Sequence, residues 1–172
     1  GTISAATIYD DNATDFGIKG WNPKDYNAFK GLISVRSAIT TSQNIPFLKI
    51  MAELTPQKSI EYMEKMGISS LVKASDNSKN NDENLSLAIG GMTYGVSPLE
   101  MAAAYAMVAN DGTYIEPTFY SKVEDSNGKV VLEPKQKTEK VCSVETAYII
   151  KSLMQSVVNG ADGYAGTAKY RA

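Results

Sequence analysis

Three features of the 172-residue sequence predict an α+β chain, mostly helical, with one small β-hairpin. Pro46 and Pro56 each stand just inside the start of an apolar-periodic run. Ser97-Pro98-Leu99-Glu100 opens an uninterrupted apolar segment that stops at Asn110-Asp111-Gly112. Asn127-Gly128 separates two short stretches rich in β-branched residues.

Residues 1–30 read as irregular structure with one short strand at Thr7-Ile8-Tyr9 and a turn at Asp10-Asp11-Asn12. Trp21 and Tyr26 are the expected anchors of the loop that follows. Residues 32–41 place Val35, Ala38 and Ile39 on one helical face. Pro46 then breaks the helix, because its ring pushes the preceding residue out of the helical region. Proline's fixed φ also suits a first helical turn, so a second helix is expected over 46–54. Thr55-Pro56 repeats the device, and Gly67 closes a third helix. Residues 75–84 are polar without an apolar period and read as a surface loop.

Ser97 and Glu100 have the spacing of a capping box with proline at the first helical position. The run 101–109 is apolar on all faces, which predicts a helix surrounded by other elements. Residues 118–124 and 129–133 flank Asp125-Ser126-Asn127-Gly128 as a hairpin. A last helix over 144–158 starts at Ser143 and stops at Asn159-Gly160. Ala147, Ile150, Leu153, Met154 and Val157 form its apolar stripe, with Lys151, Ser152, Gln155 and Ser156 facing away.

Lys and Arg total 17 against 19 Asp and Glu, a net charge of -2, so no cationic field exists to hold a nucleic acid. No apolar stretch approaches the roughly 20 residues of a membrane span. There is no histidine, and Cys142 is the single cysteine. These absences remove Ser-His-Asp and Cys-His catalysis, histidine-based metal sites and intramolecular disulfides. No metal or cofactor is implied. Any nucleophilic chemistry must take its base from Lys, Glu, Asp or Tyr. Cys142 reads as a small, half-buried hydrophobe ahead of a helix.

A serine activated by a nearby lysine fits that constraint. Its signatures are Ser-x-x-Lys, then Ser-x-Asn, then Lys-Thr-Gly. Ser-x-Asn occurs at Ser42-Gln43-Asn44, Ser75-Asp76-Asn77 and Ser78-Lys79-Asn80. The last two fall in the polar loop and read as solvated. Ser42-Gln43-Asn44 falls in the break between two helices. In an extended segment, side chains two apart point the same way, which would aim Ser42 and Asn44 into one cleft. The competing reading is that Ser42 or Asn44 merely caps the Pro46 helix. Ser70-Leu71-Val72-Lys73 fits Ser-x-x-Lys on paper but follows the triplet and reads as coincidence. Lys-Thr-Gly does not occur. Gly90, Gly91 and Gly95 lack a phosphate-binding context. The tyrosines have no basic partners in register for stacking nucleic-acid bases. The acidic pairs Asp10/Asp11 and Glu124/Asp125 read as turn and surface residues.

Residues 35–46, around the Ser42 triplet, resemble the segment around the Ser-x-Asn motif of class A penicillin-binding proteins. So do residues 85–91, residues 95–105 with Asn110-Asp111-Gly112, residues 143–148, and Gly166-Thr167-Ala168. The resemblance runs from about Trp21 to the C-terminus. It implies the helical lobe of the penicillin-binding and serine β-lactamase-like transpeptidase fold. The activity implied is a serine D,D-transpeptidase outside the bacterial cytoplasmic membrane, with an upstream anchor. Such an enzyme cross-links peptidoglycan stem peptides through an acyl-enzyme and is acylated by β-lactam antibiotics.

By analogy, Ser42 relays a proton between the catalytic lysine and the departing amine. Asn44 hydrogen-bonds that lysine and a substrate amide, and Gln43 is at most a wall residue for the substrate. The family's nucleophilic serine, its lysine and the Lys-Thr-Gly strand are missing. Residues 1–172 are therefore expected to be a partial transpeptidase domain, inactive alone, whose partner is the remainder of that domain. On this expectation the 144–158 stripe packs on a sheet that is mostly absent. The alternatives are a non-catalytic extracellular binding or scaffolding module of the same fold and, more weakly, a β-lactamase or β-lactam sensor.

Overall fold

The structure is a computed structural model that describes residues 3–170. Its first strand, β1 (Ile8–Asp11), pairs antiparallel with β2 (Gly31–Ser34), Tyr9 opposite Ile33 and Asp11 opposite Gly31. This corrects two expectations. Asp10 and Asp11 lie in the strand rather than in a turn, and residues 31–34 are extended before any helix begins. The expected 32–41 helix shortens to α1 (Val35–Thr40), where the Ser34 hydroxyl accepts from Ser37 N at 3.1 Å. Tyr26 is 86% exposed and anchors nothing. Trp21 is half-buried and pairs with Phe16, ring centroids 5.7 Å apart.

The two prolines start helices as their positions predict: α2 (Ile45–Leu54) and α3 (Pro56–Lys65). Thr55 ends one and begins the other, its hydroxyl accepting from Lys58 N. Met51, Ile60 and Leu87, the last from the 3-10 turn Leu85–Ile89, form one buried apolar cluster. Gly67 closes α3 at φ 84, where a Cβ would fall 2.2 Å from the Tyr114 hydroxyl oxygen. Only glycine meets both demands.

The polar 75–84 segment is anchored rather than merely solvated. Asp82 is 1% exposed and accepts from Val72 N (2.8 Å), Thr93 N (2.6 Å) and the Thr93 hydroxyl (2.8 Å). Burial alone pushes its carboxyl up, but these donors outweigh it and hold Asp82 below the usual carboxylate range.

The helix α4 (Pro98–Ala109) starts in the expected capping box. Glu100 N donates to Ser97 Oγ (3.2 Å), and Ser97 N donates to Glu100 Oε2 (2.9 Å). Ala103, Met107 and Val108 join Tyr114 and Val141 in a second buried cluster. The opposite face is bare: Met101 is 39% and Tyr105 56% exposed. The all-round apolar composition therefore does not mean all-round burial.

Beyond α4, β3 (Thr113–Ile115) pairs with β6 (Thr138–Lys140), which nothing in those short, non-alternating stretches announces. The expected hairpin forms from β4 (Val123–Glu124) and β5 (Val130–Leu132), with Gly128 at φ 78.

In the last helix, α5 (Val144–Asn159), Ala147 and Leu153 are buried, and Ile150 and Met154 pack against the α4 cluster. The stripe expected to await an absent sheet is thus largely covered within the chain. The polar side is used as well, because Arg36 on α1 donates to Ser152 and Ser156. No helix among the described residues is long and apolar enough to cross a membrane.

Candidate functional site

The exit from α1 sets the geometry of Ser42-Gln43-Asn44. Ser42 N donates to Ile39 O (3.3 Å) and Gln43 N to Ala38 O (2.9 Å). This is the Schellman pattern, which places its pivot residue at positive φ and ordinarily uses glycine there. Ser42 fills the pivot at φ 57. A side chain at that pivot costs about 1–2 kcal/mol. Asn44, at φ -83 and ψ -45, is right-handed helical. The segment is a tight turn, not the extended stretch the spacing argument assumed. That argument for a shared direction is therefore replaced by a turn. It leaves Ser42 exposed, Asn44 half-buried and Gln43 2% exposed.

Neither Ser42 nor Asn44 caps α2 through its side chain. Asn44 stands at the cap position without a side-chain cap bond. Asp25, from the 21–30 loop, does that work: its Oδ1 accepts from Asn44 N and from Ile45 N (3.3 Å). The Asn44 carboxamide is left for other contacts and donates through Nδ2 to Lys24 O (2.8 Å). Gln43, expected as a wall residue, points inward and donates through Nε2 to Asp11 Oδ2 (2.8 Å). Asp11 Oδ2 also accepts from Lys30 N (2.8 Å).

Two carboxyls therefore converge beneath the turn. Asp11 is 0% exposed, which corrects its reading as a surface residue. Asp11 Oδ1 and Asp25 Oδ2 are both buried without another hydrogen-bond partner. Burial first, and then the hydrogen bond to Asp11, push the Asp25 carboxyl above its ordinary range; the Asn44 and Ile45 N–H groups pull the other way and lose. No local sequence signal could have shown this, because Asp11 and Gln43 are 32 residues apart.

The remaining sequence candidates are occupied elsewhere. Ser70 Oγ donates to Gly95 O (2.6 Å), and Lys73 Nζ pairs with Glu64 (2.6 Å), so Ser70-Leu71-Val72-Lys73 forms no catalytic turn. Asn77 Oδ1 accepts from Lys79 N and Asn80 N, which shapes the loop. Cys142 is half-buried beside the α4 cluster. Nearer the Ser42 turn, Tyr164 N donates to Thr40 O (2.9 Å), and Gly160 approaches the same threonine. A cavity of about 450 Å³ lined by Gly160, Tyr164 and Thr167 thus lies on the segment docked at the end of α1. Ser42, Gln43 and Asn44 do not line it.

This geometry has relatives. The penicillin-binding protein transpeptidase domain family model matches residues 1–171. Penicillin-binding protein 1A of Clostridium botulinum (strain Hall) is 39% identical over 140 residues, 81% of this chain and 16% of that protein. The chain thus spans about a sixth of that relative's length. Among solved structures, penicillin-binding protein 1A from Haemophilus influenzae shares the fold with a TM-score of 0.75 at 22% identity, over 94% of this chain and 28% of that one. The D,D-transpeptidase domain of a peptidoglycan glycosyltransferase from Eggerthella lenta does so with a TM-score of 0.70 at 21% identity, over 91% of this chain and 44% of that one. With the family model matched along nearly every residue, the chain belongs to the penicillin-binding protein transpeptidase domain family.

Proposed function

We propose that these residues are the Ser-x-Asn-bearing part of a peptidoglycan D,D-transpeptidase of the class A penicillin-binding proteins, acting outside the bacterial cytoplasmic membrane. In this reading the domain is partial over residues 1–172. A serine and lysine from a Ser-x-x-Lys helix, and a Lys-Thr-Gly strand, are supplied by the remainder of the domain. The serine oxygen bonds to the carbonyl carbon of a stem-peptide D-alanyl bond, and the carbon–nitrogen bond breaks. The serine's proton passes by way of the lysine and the Ser42 hydroxyl to the departing amine. Asn44 holds the lysine and a substrate amide. A β-lactam enters the same sequence as a strained amide. Gln43 contributes from below the site, holding the turn to β1.

One observation supports this reading above the others: Ser42 keeps a side chain at a left-handed pivot where glycine is less strained. Strain retained at one exposed hydroxyl is a reason to look for chemistry there. The test is the rate of fluorescent-penicillin labelling of the full-length protein. Asn44→Ala is expected to slow labelling by about 10²-fold or more, the usual scale of a lost acid–base or positioning group. Labelling at the wild-type rate removes Asn44 from the site. The 172-residue chain by itself is expected to take no label, and covalent label on any of its residues overturns the assignment of the nucleophile.

A further inference from the structure

Asp11 comes from β1 and Asp25 from the 21–30 loop, yet their carboxyls meet under residues 42–45. Each has one oxygen fully engaged. Asp11 Oδ2 takes Gln43 Nε2 and Lys30 N, and Asp25 Oδ1 takes the N–H groups of Asn44 and Ile45. The other two oxygens, Asp11 Oδ1 and Asp25 Oδ2, are buried and otherwise unpartnered. Two ionised carboxylates so placed repel, and burial disfavours the charge on Asp25. One proton between them removes the repulsion and gives each orphan oxygen a partner.

Among the described residues, no lysine or arginine forms an ion pair with either carboxyl. The charged groups around the pair are committed elsewhere. On β1, Asp10 accepts from Asn12 Nδ2 (2.6 Å). On α2, Lys49 Nζ donates to Asp10 O (2.5 Å) and to Asn12 Oδ1, while Glu53 accepts the Tyr9 hydroxyl (3.0 Å). Lys24 and Lys30 contribute only a backbone carbonyl and a backbone N–H.

We propose that Asp25 is a positioning residue for the Ser42-Gln43-Asn44 turn. Protonated at Oδ2, it donates to Asp11, while its Oδ1 holds the first N–H groups of α2. A single proton thereby joins β1, the 21–30 loop and the turn into one strap. The bearing on catalysis rests on the reading of Ser42 and Asn44 as site residues; the strap itself does not. Because the folded state raises Asp25 above its ordinary value, the strap is complete at low pH and loosens as pH rises through that raised value.

Asp25→Asn is the decisive variant. Its amide oxygen still accepts from Asn44 and Ile45, and its Nδ2 donates permanently to Asp11 with no proton to lose. Hydrogen–deuterium exchange of the full-length protein, corrected for intrinsic rates, reads the turn at the Gln43 amide, which donates to the Ala38 carbonyl and not to the titrating carboxyl. In the wild type its protection is expected to fall about tenfold from acid to neutral pH, the scale of one lost hydrogen bond. In Asp25→Asn it stays high and flat, at or above the wild-type level at neutral pH. Asp25→Ala exchanges about tenfold faster at both ends. An Asp25→Asn protein that exchanges like Asp25→Ala, or a wild type as flat as Asp25→Asn, overturns the proposal. That comparison needs no activity: a failed Asn44→Ala test removes the site reading and leaves the strap standing. With both intact, the ratio of the Asp25→Asn to the wild-type penicillin-labelling rate is about one at low pH and climbs as pH rises.

Discussion

Arg36 Nη1 lies 2.7 Å from the Ser156 hydroxyl, and the same guanidinium reaches the Ser152 carbonyl (3.0 Å) and hydroxyl (3.1 Å). One side chain thus fastens α1, whose end forms the Ser42 turn, to the polar side of α5. Replacing Arg36 with Met keeps the packing of the stem and removes the three hydrogen bonds. The expected cost is about 1–3 kcal/mol, read as a lower urea midpoint at unchanged slope. Arg36→Lys should recover only part of it, because a single ammonium cannot reproduce the planar fork that spans two serines.

Stability and chemistry are expected to move in opposite directions at Ser42. Ser42→Gly relieves the left-handed pivot and should stabilise the fold by about 0.5–1 kcal/mol, after allowing for glycine's greater freedom when unfolded. The same change removes the hydroxyl, so penicillin labelling of the full-length protein should drop by about 10²-fold. Ser42→Ala should lose labelling equally without the gain in stability. Urea melts and labelling rates on the two variants separate the backbone effect from the hydroxyl effect.

The cap of α4 carries an acid-sensitive contribution. Glu100 is held down to about 2, first by the Ser69 N–H, then by the Ser97 N–H and the hydroxyls of both serines. A folded-state value below the unfolded one gives stability that is full above the ordinary value of 4.5 and is lost as pH falls towards about 2. Thermal melts of the wild type should therefore decline more steeply over that window than those of Glu100→Gln. Equal slopes would show that the carboxylate is not what the serines hold.

Gly67 should tolerate no side chain. Gly67→Ala meets the Tyr114 hydroxyl and a φ of 84 at once. A loss of about 2 kcal/mol or more is expected in urea titration, combining the left-handed penalty with displacement of a buried tyrosine. Tyr114→Phe in the same background should recover little, because the ring carbons Cζ and Cε2 stand 2.4 and 2.6 Å from the same Cβ position.

What could be read from the sequence follows the range of the interaction. The Ser97–Glu100 box, the starts at Pro46 and Pro56, and the turn at Gly128 depend on residues a few positions apart, and all were legible. β2 was not, because Gly31-Leu32-Ile33-Ser34 becomes a strand only through Asp11, Asp10, Tyr9 and Ile8 across the ladder. The triplet Ser42-Gln43-Asn44 was visible as a motif, yet its conformation was not. A Schellman turn is ordinarily announced by glycine, and here a serine stands in its place. The carboxyls of Asp11 and Asp25 left no trace, since an aspartate in a strand and another in a loop look alike whether solvated or buried. The two faces of α4 have the same composition, so only the fold could tell which one is covered.

The docking of Tyr164 on Thr40 also dictates when the Ser42 region can mature during synthesis. The Arg36 contact to the Ser156 hydroxyl already spans 120 positions of chain, and the Tyr164 contact reaches further still. At roughly 5–20 residues per second, the ribosome needs about 6–24 s to make that stretch after α1 emerges. Throughout that interval the nascent turn lacks its flank, which makes this corner a late, high-contact-order step and a natural client for holding factors.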